Sequence, residues 1–538
     1  MLVVSLVALL FIAGCTKKLD LVPTNDVTAE TVYSTPEGYR QAIAKVYGAM
    51  ALIGNGGATG SRDIPQEIYP DEGSSDFLRQ LWNFQCVTTD EAVWTYTDRF
   101  DPVGLHQFNW TSDHPSVKAL YYRSFFQITL ANDFIRQASD ENLSKRNISG
   151  TEVDNIRLFQ AEARFLRAFQ YWVLMDLFGN PPFVTENDAI GVGLPKQIQR
   201  KELFNYIESE LKALESILPA PRANEYGRAD RGAVWALLSR IYLNAEVYAG
   251  AARYTDAITY CNKVIAAGYS LHSNYKQLML ADNHLIRNEF IFTINYDGTR
   301  TPNWGGTTML AHGPSTPEGD AAIAKLFVDS TLVTSWGCIR ITPQFVDLFN
   351  TNDIRGQFWR QGQTKEMPQL TGGPARAYGY SSTKFRNKTR TGDSAVNRYR
   401  PSPTENWVDI DFPVFRLAEI YLTYAEAVLR GGQGGNNGTA LSYLSQLSVR
   451  ARPNDPNAAA VPQLTLAYIL DERGREMMWE CVRRTDLIRY GLFTSGSYLW
   501  AWKGGVQGGT GVATRYNLLP IPSTDLSANP NLVQNPGY

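Results

Sequence analysis

Cysteine and histidine are scarce in this chain of 538 residues, which contains five of each. The cysteines form no CxxC pair, and the histidines form neither an HExxH motif nor a close pair on one helix face. We therefore predict no metal-dependent catalytic centre. Apart from Cys15, the cysteines could form three disulfide pairings or none, and the sequence leaves these open: Cys86, Cys261, Cys338 and Cys481.

An excess of charge of one sign and long apolar runs are also lacking. The 51 basic and 53 acidic residues leave a net charge of −2. No positive field is available to attract nucleic acid or anionic lipid, so we exclude a nucleic-acid partner. The N-terminal apolar run over 1–14 is shorter than the roughly 20 residues that a membrane-spanning helix needs.

The end of that run nevertheless indicates export. Its length and its small residues before Cys15 are typical of a secretory signal. The Ala13-Gly14-Cys15 sequence resembles a bacterial lipobox, in which cleavage before the cysteine leaves an acylated N-terminus. We expect a signal peptide over 1–14, lipidation at Cys15 and a lipid-anchored leader over 15–32. The alternative is a plain export signal followed by a chance cysteine.

The remaining chain can bury a large core, since 44% of its residues are hydrophobic and 19% are charged. Apolar residues recur every three or four positions from Ile156 to Leu177, which predicts an amphipathic helix that ends at Gly179 and the following prolines. Amphipathic segments with short linkers follow, at 201–219, 231–248 and 254–269. They predict stacked helix hairpins that resemble tetratricopeptide pairs.

The pattern changes over 288–410, where a short strand-like run, 288–297, precedes a segment rich in Gly, Pro and Thr. We expect an elaborate loop region there and a return to helices over 411–493. Acids and bases alternate in 467–493, which predicts one helix with a solvated, salt-bridged face. The last segment, 494–538, is irregular and rich in proline, so we expect a strap laid over the folded body.

Several motifs in one order along the chain resemble the SusD/RagB family of nutrient-binding outer-membrane lipoproteins. They include TTDEAVW at 88–94, AEARFLRAFQYWVLMDLFGNPPFV at 161–184 and ERGREMMWECVRRTDLIRYG at 472–491. The resemblance implies a mainly α, SusD-like fold in which tetratricopeptide-like helix pairs scaffold an irregular ligand-binding region. It implies a single domain over 33–538, with its helical scaffold at 33–287 and 411–493.

The resemblance also implies a role. Members of the family lie on the cell surface as lids on SusC-like TonB-dependent transporters, to which they deliver oligosaccharides or, in some cases, peptides. We therefore expect a non-catalytic, glycan-binding lipoprotein of the outer membrane. A peptide-binding subunit and a purely structural lid are the alternatives.

A glycan receptor needs flat aromatic rings for the apolar faces of sugars and polar groups for their hydroxyls. The segment that ends in a Pro-Gly turn supplies Asp90, Trp94, Tyr96 and Arg99. The resemblance implies glycan contacts for Trp94 and Arg99, and core packing is the alternative for Trp94 and Tyr96. Trp110 and His106, further along, are expected to be structural.

Two more tryptophans complete the candidate ligand-binding residues. Trp304 is followed by two glycines, which allow its ring to project and a ligand to approach the backbone. By its order along the chain, Trp304 resembles the second aromatic platform of glycan-binding relatives. Trp336, in the sequence TSWGCIR, is the weaker candidate.

An enzyme is the less favoured class. Glycoside hydrolases place two carboxyl groups at a fixed separation, and no pair is singled out among the many acids here. The sequence contains no GxSxG motif, and the glycine-rich stretch 54–62 lacks the lysine of a phosphate-binding loop. We expect no catalytic residue and no cofactor, although the segment around Asp297 could hold a structural Ca²⁺.

Overall fold

A computed structural model describes most of the chain. The described residues are 29–57, 62–69, 73–97, 102–189, 191–315, 332, 335–393, 407–462 and 464–538. The predictions for Cys15 and Arg99, and most of the predicted leader, lie outside these ranges.

The fold is mainly α, as predicted. In chain order the described helices are α1 Ala29–Val32, α2 Pro36–Gly48, α3 Phe77–Trp82, α4 Pro102–Gln107, α5 Pro115–Gln137, α6 Asp140–Lys145, α7 Thr151–Phe178, α8 Arg200–Leu214, α9 Arg231–Leu243, α10 Ala245–Ala249, α11 Tyr254–Ala266, α12 Gly306–His312, α13 Pro343–Val346, α14 Leu417–Leu429, α15 Asn437–Ala451, α16 Leu466–Met477, α17 Arg483–Arg489 and α18 Ser523–Ala528. A π-helical turn, Asn83–Val87, follows α3.

The long helix α7 forms and ends as its sequence pattern predicts. Its apolar stripe is buried, and it packs between α5 and α8. Gly179 follows the last helical residue with φ 73°, and its amide donates to the carbonyl of Leu174 at 3.1 Å. A left-handed residue of this kind is cheapest as glycine, so the sequence fixes the helix end.

The other helices stack in successive pairs. α9 packs on α11, α11 on α14 and α14 on α15. Caps mark their starts: the Asp230 carboxylate accepts from the amides of Gly232 and Ala233 before α9, and Asn436 caps α15 in the same way. One continuous apolar core runs through these pairs, and we interpret them as the rigid scaffold.

The strands are short and pair in antiparallel twos: β1 Val93–Trp94 with β5 Ile339–Arg340, β2 Pro182–Phe183 with β3 Lys196–Gln197, β4 Phe290–Ile294 with β8 Phe412–Arg416, and β6 Phe358–Trp359 with β7 Ser381–Ser382. The prediction of a strand near residue 290 is confirmed. Because β4 and β8 stand at the two ends of the loop-rich segment, their pairing holds that segment at its base.

The prediction of one solvated helix over 467–493 is wrong. The segment forms two helices, α16 and α17, separated by a turn in which Trp479 and Cys481 have φ near +60°. Its charged side chains are buried rather than solvated: Glu472, Arg473, Glu476, Glu480, Arg483, Arg484 and Asp486. Cys481 consequently lies in the turn between α16 and α17.

Arginines from distant parts of the chain pair with Glu476 in this segment. Glu476 accepts hydrogen bonds from Arg416, Arg450 and Arg355, at 2.6 Å from Arg416 and 3.1 Å from Arg355. Arg416 also pairs with Glu289 and Glu480. These cations hold the pKa of the Glu476 carboxyl well below its usual range, against the effect of burial. A buried charge persists when it is paired in this way.

The C-terminal segment lies against the end of α7. The Leu519 amide donates to the Leu177 carbonyl at 2.7 Å, and the Asn535 amide group donates to the Phe178 and Leu519 carbonyls, both at 2.7 Å.

The four cysteines whose pairing the sequence left open form no disulfide in this structure. All four are free and buried: Cys86, Cys261, Cys338 and Cys481.

Candidate functional site

The candidate site begins where strands β1 and β5 end. Trp94 pairs with Ile339, and the Thr95 amide donates to the Cys338 carbonyl at 2.8 Å. This pairing brings Tyr96, the next residue, alongside the chain that carries Trp336. The Tyr96 side chain is 53% exposed, so its ring is open to a ligand.

Trp304 and Trp336 lie side by side, although they are far apart in the sequence. Their ring centroids are 6.1 Å apart and their planes are tilted by 50°. Both residues are half-buried, so part of each residue still reaches solvent. Together with Tyr96 they form what we call the ring platform, defined as Tyr96, Trp304 and Trp336.

Hydrogen bonds fix the backbone on both sides of Trp304. Asn303 donates to the Asp76 carboxylate at 2.6 Å and accepts from the Gly305 amide at 2.7 Å, and Asp76 also accepts from the Gly306 amide at 2.9 Å. A Cβ atom on Gly305 would lie 2.2 Å from the Asp76 Cβ atom, so only glycine fits there. The indole is therefore held by a rigid turn.

A second layer of side chains supports the rings from behind. The Trp407 ring centroid is 4.3 Å from that of Trp304, and the His312 ring lies 5.7 Å from Trp304 and 5.5 Å from Trp336. The Arg79 guanidinium is 5.9 Å from the ring centroids of both Trp94 and Trp336, within cation–π range. Trp407, His312 and Arg79 are buried, so the two indoles pack against the core on one side.

Two of the sequence-predicted ligand residues lie beneath this surface. Trp94 is only 3% exposed and Asp90 is fully buried. The Asp90 carboxylate accepts from Arg483 at 2.8 and 2.9 Å and from the Tyr498 hydroxyl at 2.7 Å. We therefore remove both residues from the ligand-contacting set. For Trp94 the alternative of core packing holds, and for Tyr96 it does not.

The expected structural roles of two neighbouring residues are confirmed. Trp110 is 1% exposed, and its indole N–H donates to the Tyr538 hydroxyl at 3.0 Å. His106 is fully buried, with its ring nitrogens 2.8 Å from the carbonyl oxygens of Val87 and Ala501.

Burial raises the pKa of the Glu91 carboxyl to about 8. A raised carboxyl pKa can mark a general acid, yet Glu91 is 1% exposed and accepts a hydrogen bond from the Trp479 amide at 3.2 Å. This carboxyl lies in the core under β1, where no substrate has access. Its raised pKa follows from packing.

Sequence reasoning missed Arg79, His312 and Trp407 as parts of the site. The sequence shows Trp407 as a tryptophan in a loop. Its position behind Trp304, however, depends on a contact between two residues about 100 positions apart in the sequence. Arg79 is one basic residue in the apolar helix α3 and gives no signal by itself.

No group of three or more His, Cys, Asp or Glu side chains among the described residues is arranged to hold a metal ion. At the segment suggested for Ca²⁺, the Asp297 carboxylate accepts hydrogen bonds from the Thr299 amide at 2.8 Å and from the Thr299 hydroxyl.

Among the helices of the described residues, none is both long and apolar enough to cross a membrane.

Comparison with known proteins places the chain in a family. A family model described as the SusD family matches residues 360–538, and a second, described as starch-binding and associating with the outer membrane, matches residues 63–243. The chain is 33% identical to the starch-binding protein SusD of Bacteroides thetaiotaomicron, over 98% of this chain and 96% of that protein. The chain therefore belongs to the SusD family.

Solved structures show the same fold at lower sequence identity. A surface glycan-binding protein A from Bacteroides thetaiotaomicron, in complex with laminarihexaose, matches with a TM-score of 0.68 at 19% identity, over 93% of this chain and 99% of that one. A laminarin-binding SusD-like protein matches with a TM-score of 0.68 at 21% identity, over 93% and 99%. The predicted family and fold are both confirmed.

Proposed function

We propose that the chain is a non-catalytic receptor for oligosaccharides, which it binds on the ring platform. The observation that carries this proposal is the pair of half-buried indoles, Trp304 and Trp336, which lie side by side and are supported from behind. The exposed Tyr96 follows strand β1, which pairs with the segment that carries Trp336. Carbon-bound hydrogens on a sugar face pack favourably against such rings. The relatives are named as binding proteins for starch and other glycans, which agrees with binding rather than cleavage.

The tilt between the indoles favours a curved ligand. Two sugar rings that stack on planes tilted by 50° cannot be coplanar with each other. A flat, ribbon-like chain would contact one indole at the expense of the other, whereas a chain that turns between sugar units can contact both. We therefore propose starch-type and laminarin-type oligosaccharides as the first ligands to test, with Arg99 as an additional donor to their hydroxyls.

Titration calorimetry with maltoheptaose, laminarihexaose and cellohexaose tests this proposal. We expect binding of at least one of the first two and weaker binding of cellohexaose. Trp304→Ala should lower the affinity at least tenfold, which corresponds to about 1.4 kcal/mol. Trp235→Ala is the matched control, because Trp235 is also half-buried but lies on α9. Unchanged affinity in Trp304→Ala, or binding of peptides in place of glycans, would overturn the proposal.

We also infer an outer-membrane location, a lipid anchor at Cys15 and delivery of the ligand to a SusC-like TonB-dependent transporter. Family membership and the family model described as associating with the outer membrane support this inference. Metabolic labelling with a clickable fatty acid tests the anchor. We expect label on the wild-type protein and none on Cys15→Ala, so label that persists in the variant would exclude Cys15 as the site.

A further inference from the structure

A cavity lies apart from the ring platform. Its volume is about 370 Å³, and it opens between α2, α7, the 225–228 loop and the end of β4. None of the three platform residues lines it. Thr301 does, and because it precedes Trp304 by only three residues, its Cα atom lies at most about 11 Å from that of Trp304. The two features are neighbours with different linings.

The interior of the cavity is apolar and preformed. Ile43, Met50, Phe159 and Ile294 line it, and all four are buried. The wall is held in place because α2 packs on α7 and because the Tyr47 hydroxyl donates to Glu162 at 2.7 Å and accepts from the Ala229 amide at 2.9 Å. A pocket of this size, with an apolar interior and several polar side chains in its lining, has the typical properties of a small-molecule site.

The mouth offers unused hydrogen-bond donors. The Arg40 guanidinium lies 5.9 Å from the Phe159 ring centroid, its side chain is 57% exposed, and its ion pair with Glu37 is loose, at 3.5 Å. The Arg40 guanidinium makes no hydrogen bond with the described part of the chain beyond this ion pair. Arg228, 4.9 Å from the same ring, differs because Glu162 and Glu225 occupy its donors. Arg40 is therefore the available cation.

We propose that this cavity binds an organic carboxylate with a flat apolar body, the body resting among the apolar side chains and the carboxylate on Arg40. An arginine fork and a carboxylate match in charge and geometry. The volume of about 370 Å³ is near the lower end of the range typical of ligand pockets, so it suits a small organic acid. A sugar enclosed in the cavity would leave the hydroxyls around its rim unpaired against the apolar side chains.

Calorimetry with 3-phenylpropionate tests the proposal, with 3-phenylpropan-1-ol as the neutral analogue and acetate as the anion without an apolar body. We expect millimolar or tighter binding of the carboxylate, at least fivefold weaker binding of the alcohol and no detectable binding of acetate. Ala44→Tyr should weaken binding of 3-phenylpropionate at least tenfold, because exposed Ala44 on α2 lines the cavity and a larger side chain fills it. Arg40→Gln should weaken it at least fivefold.

Matched controls separate the site from general surface effects. Gln41→Tyr places the same ring on exposed α2 surface outside the cavity lining, and Arg157→Gln removes an arginine of similar exposure, 52%, from α7. Neither should change the affinity. Absence of binding to the wild-type protein, equal binding of the alcohol, or unaltered binding by Ala44→Tyr would each overturn the proposal. Binding of maltoheptaose or laminarihexaose should be unchanged in Ala44→Tyr, so this test can fail independently of the glycan proposal.

Discussion

Trp94 and Tyr96 are two residues apart, yet they have different environments. Trp94 lies within the β1–β5 pair and is covered, whereas Tyr96 lies beyond the end of the strand, where the cover stops. Sequence composition ranks both as aromatic candidates of the same loop. Only the position of the strand end separates a core residue from an exposed one.

Substitution of these two residues should therefore have opposite effects. Tyr96→Ala should lower glycan affinity, with little change in stability, since exposed positions usually alter the free energy of unfolding by no more than about 0.5 kcal/mol. Trp94→Ala should destabilise the fold by about 3–5 kcal/mol, the usual cost of removing a buried tryptophan. Thermal unfolding and calorimetry on both variants check this. Equal losses of stability would contradict the assignment.

Glu91 gives a prediction for pH dependence. Its pKa is raised to about 8 in the folded protein, from an ordinary value of 4.5, chiefly by burial. The unfolded chain therefore releases this proton first, and the free energy of unfolding falls as pH rises between about 4.5 and 8. In Glu91→Gln, which keeps an oxygen acceptor for the Trp479 amide, this decline should be smaller.

Urea unfolding at pH 5 and pH 8 measures the difference. Glu225→Gln, at an exposed position, is the control and should behave like the wild type. Buried Asp411, with a pKa near 7, and Asp230, near 6, act in the same direction but are common to all three proteins. An identical pH dependence in Glu91→Gln and the wild type would contradict the role of Glu91.

Helices α7 and α16 show where sequence periodicity predicts the structure correctly and where it does not. In α7 the local pattern and the glycine that ends it agree with the fold, so helix and terminus are predictable. In α16 and α17 the alternating charges predict a solvated face, but the arginines that pair with buried Glu476 come from outside the segment, at positions 355, 416 and 450. Pairs so distant along the chain leave no local signal.

Removal of one partner from this buried network should be costly. Arg416→Met leaves Glu289, Glu476 and Glu480 without their shared cation, and we expect a loss of about 3–5 kcal/mol in the free energy of unfolding. Arg157→Gln, which breaks exposed pairs, should change it by less than about 1 kcal/mol. Urea denaturation compares the two, and similar small losses would show that the network adds little.

The molecule as a whole combines a packed helical scaffold with loops that are anchored at their bases. The β4–β8 pair joins the two ends of the loop-rich segment, and the C-terminal segment is bonded to the end of α7. We therefore expect the ring platform to be formed before a ligand binds. Preformed sites of this kind move little on binding.

Hydrogen exchange can test this preformed arrangement. At saturation with a bound oligosaccharide, exchange should slow at the backbone around Tyr96, Trp304 and Trp336 and remain unchanged in α9, α11 and α14. The free protein provides the reference, and the Trp304→Ala variant under the same conditions provides the control. Slower exchange throughout the paired helices would indicate a global conformational change instead.

The sequence by itself determined the helical class, the end of α7, the β4 strand, the family and the three aromatic candidates that make up the ring platform. These follow from local periodicity, local turn chemistry and motif order. Tertiary structure alone decided that Trp94 and Asp90 are buried, that the charges of α16 and α17 are internal, and that Arg79, His312 and Trp407 support the rings. The physical reason is the same in each case: burial and pairing depend on partners that are distant along the chain. A single sequence does not show which distant residues are close in space.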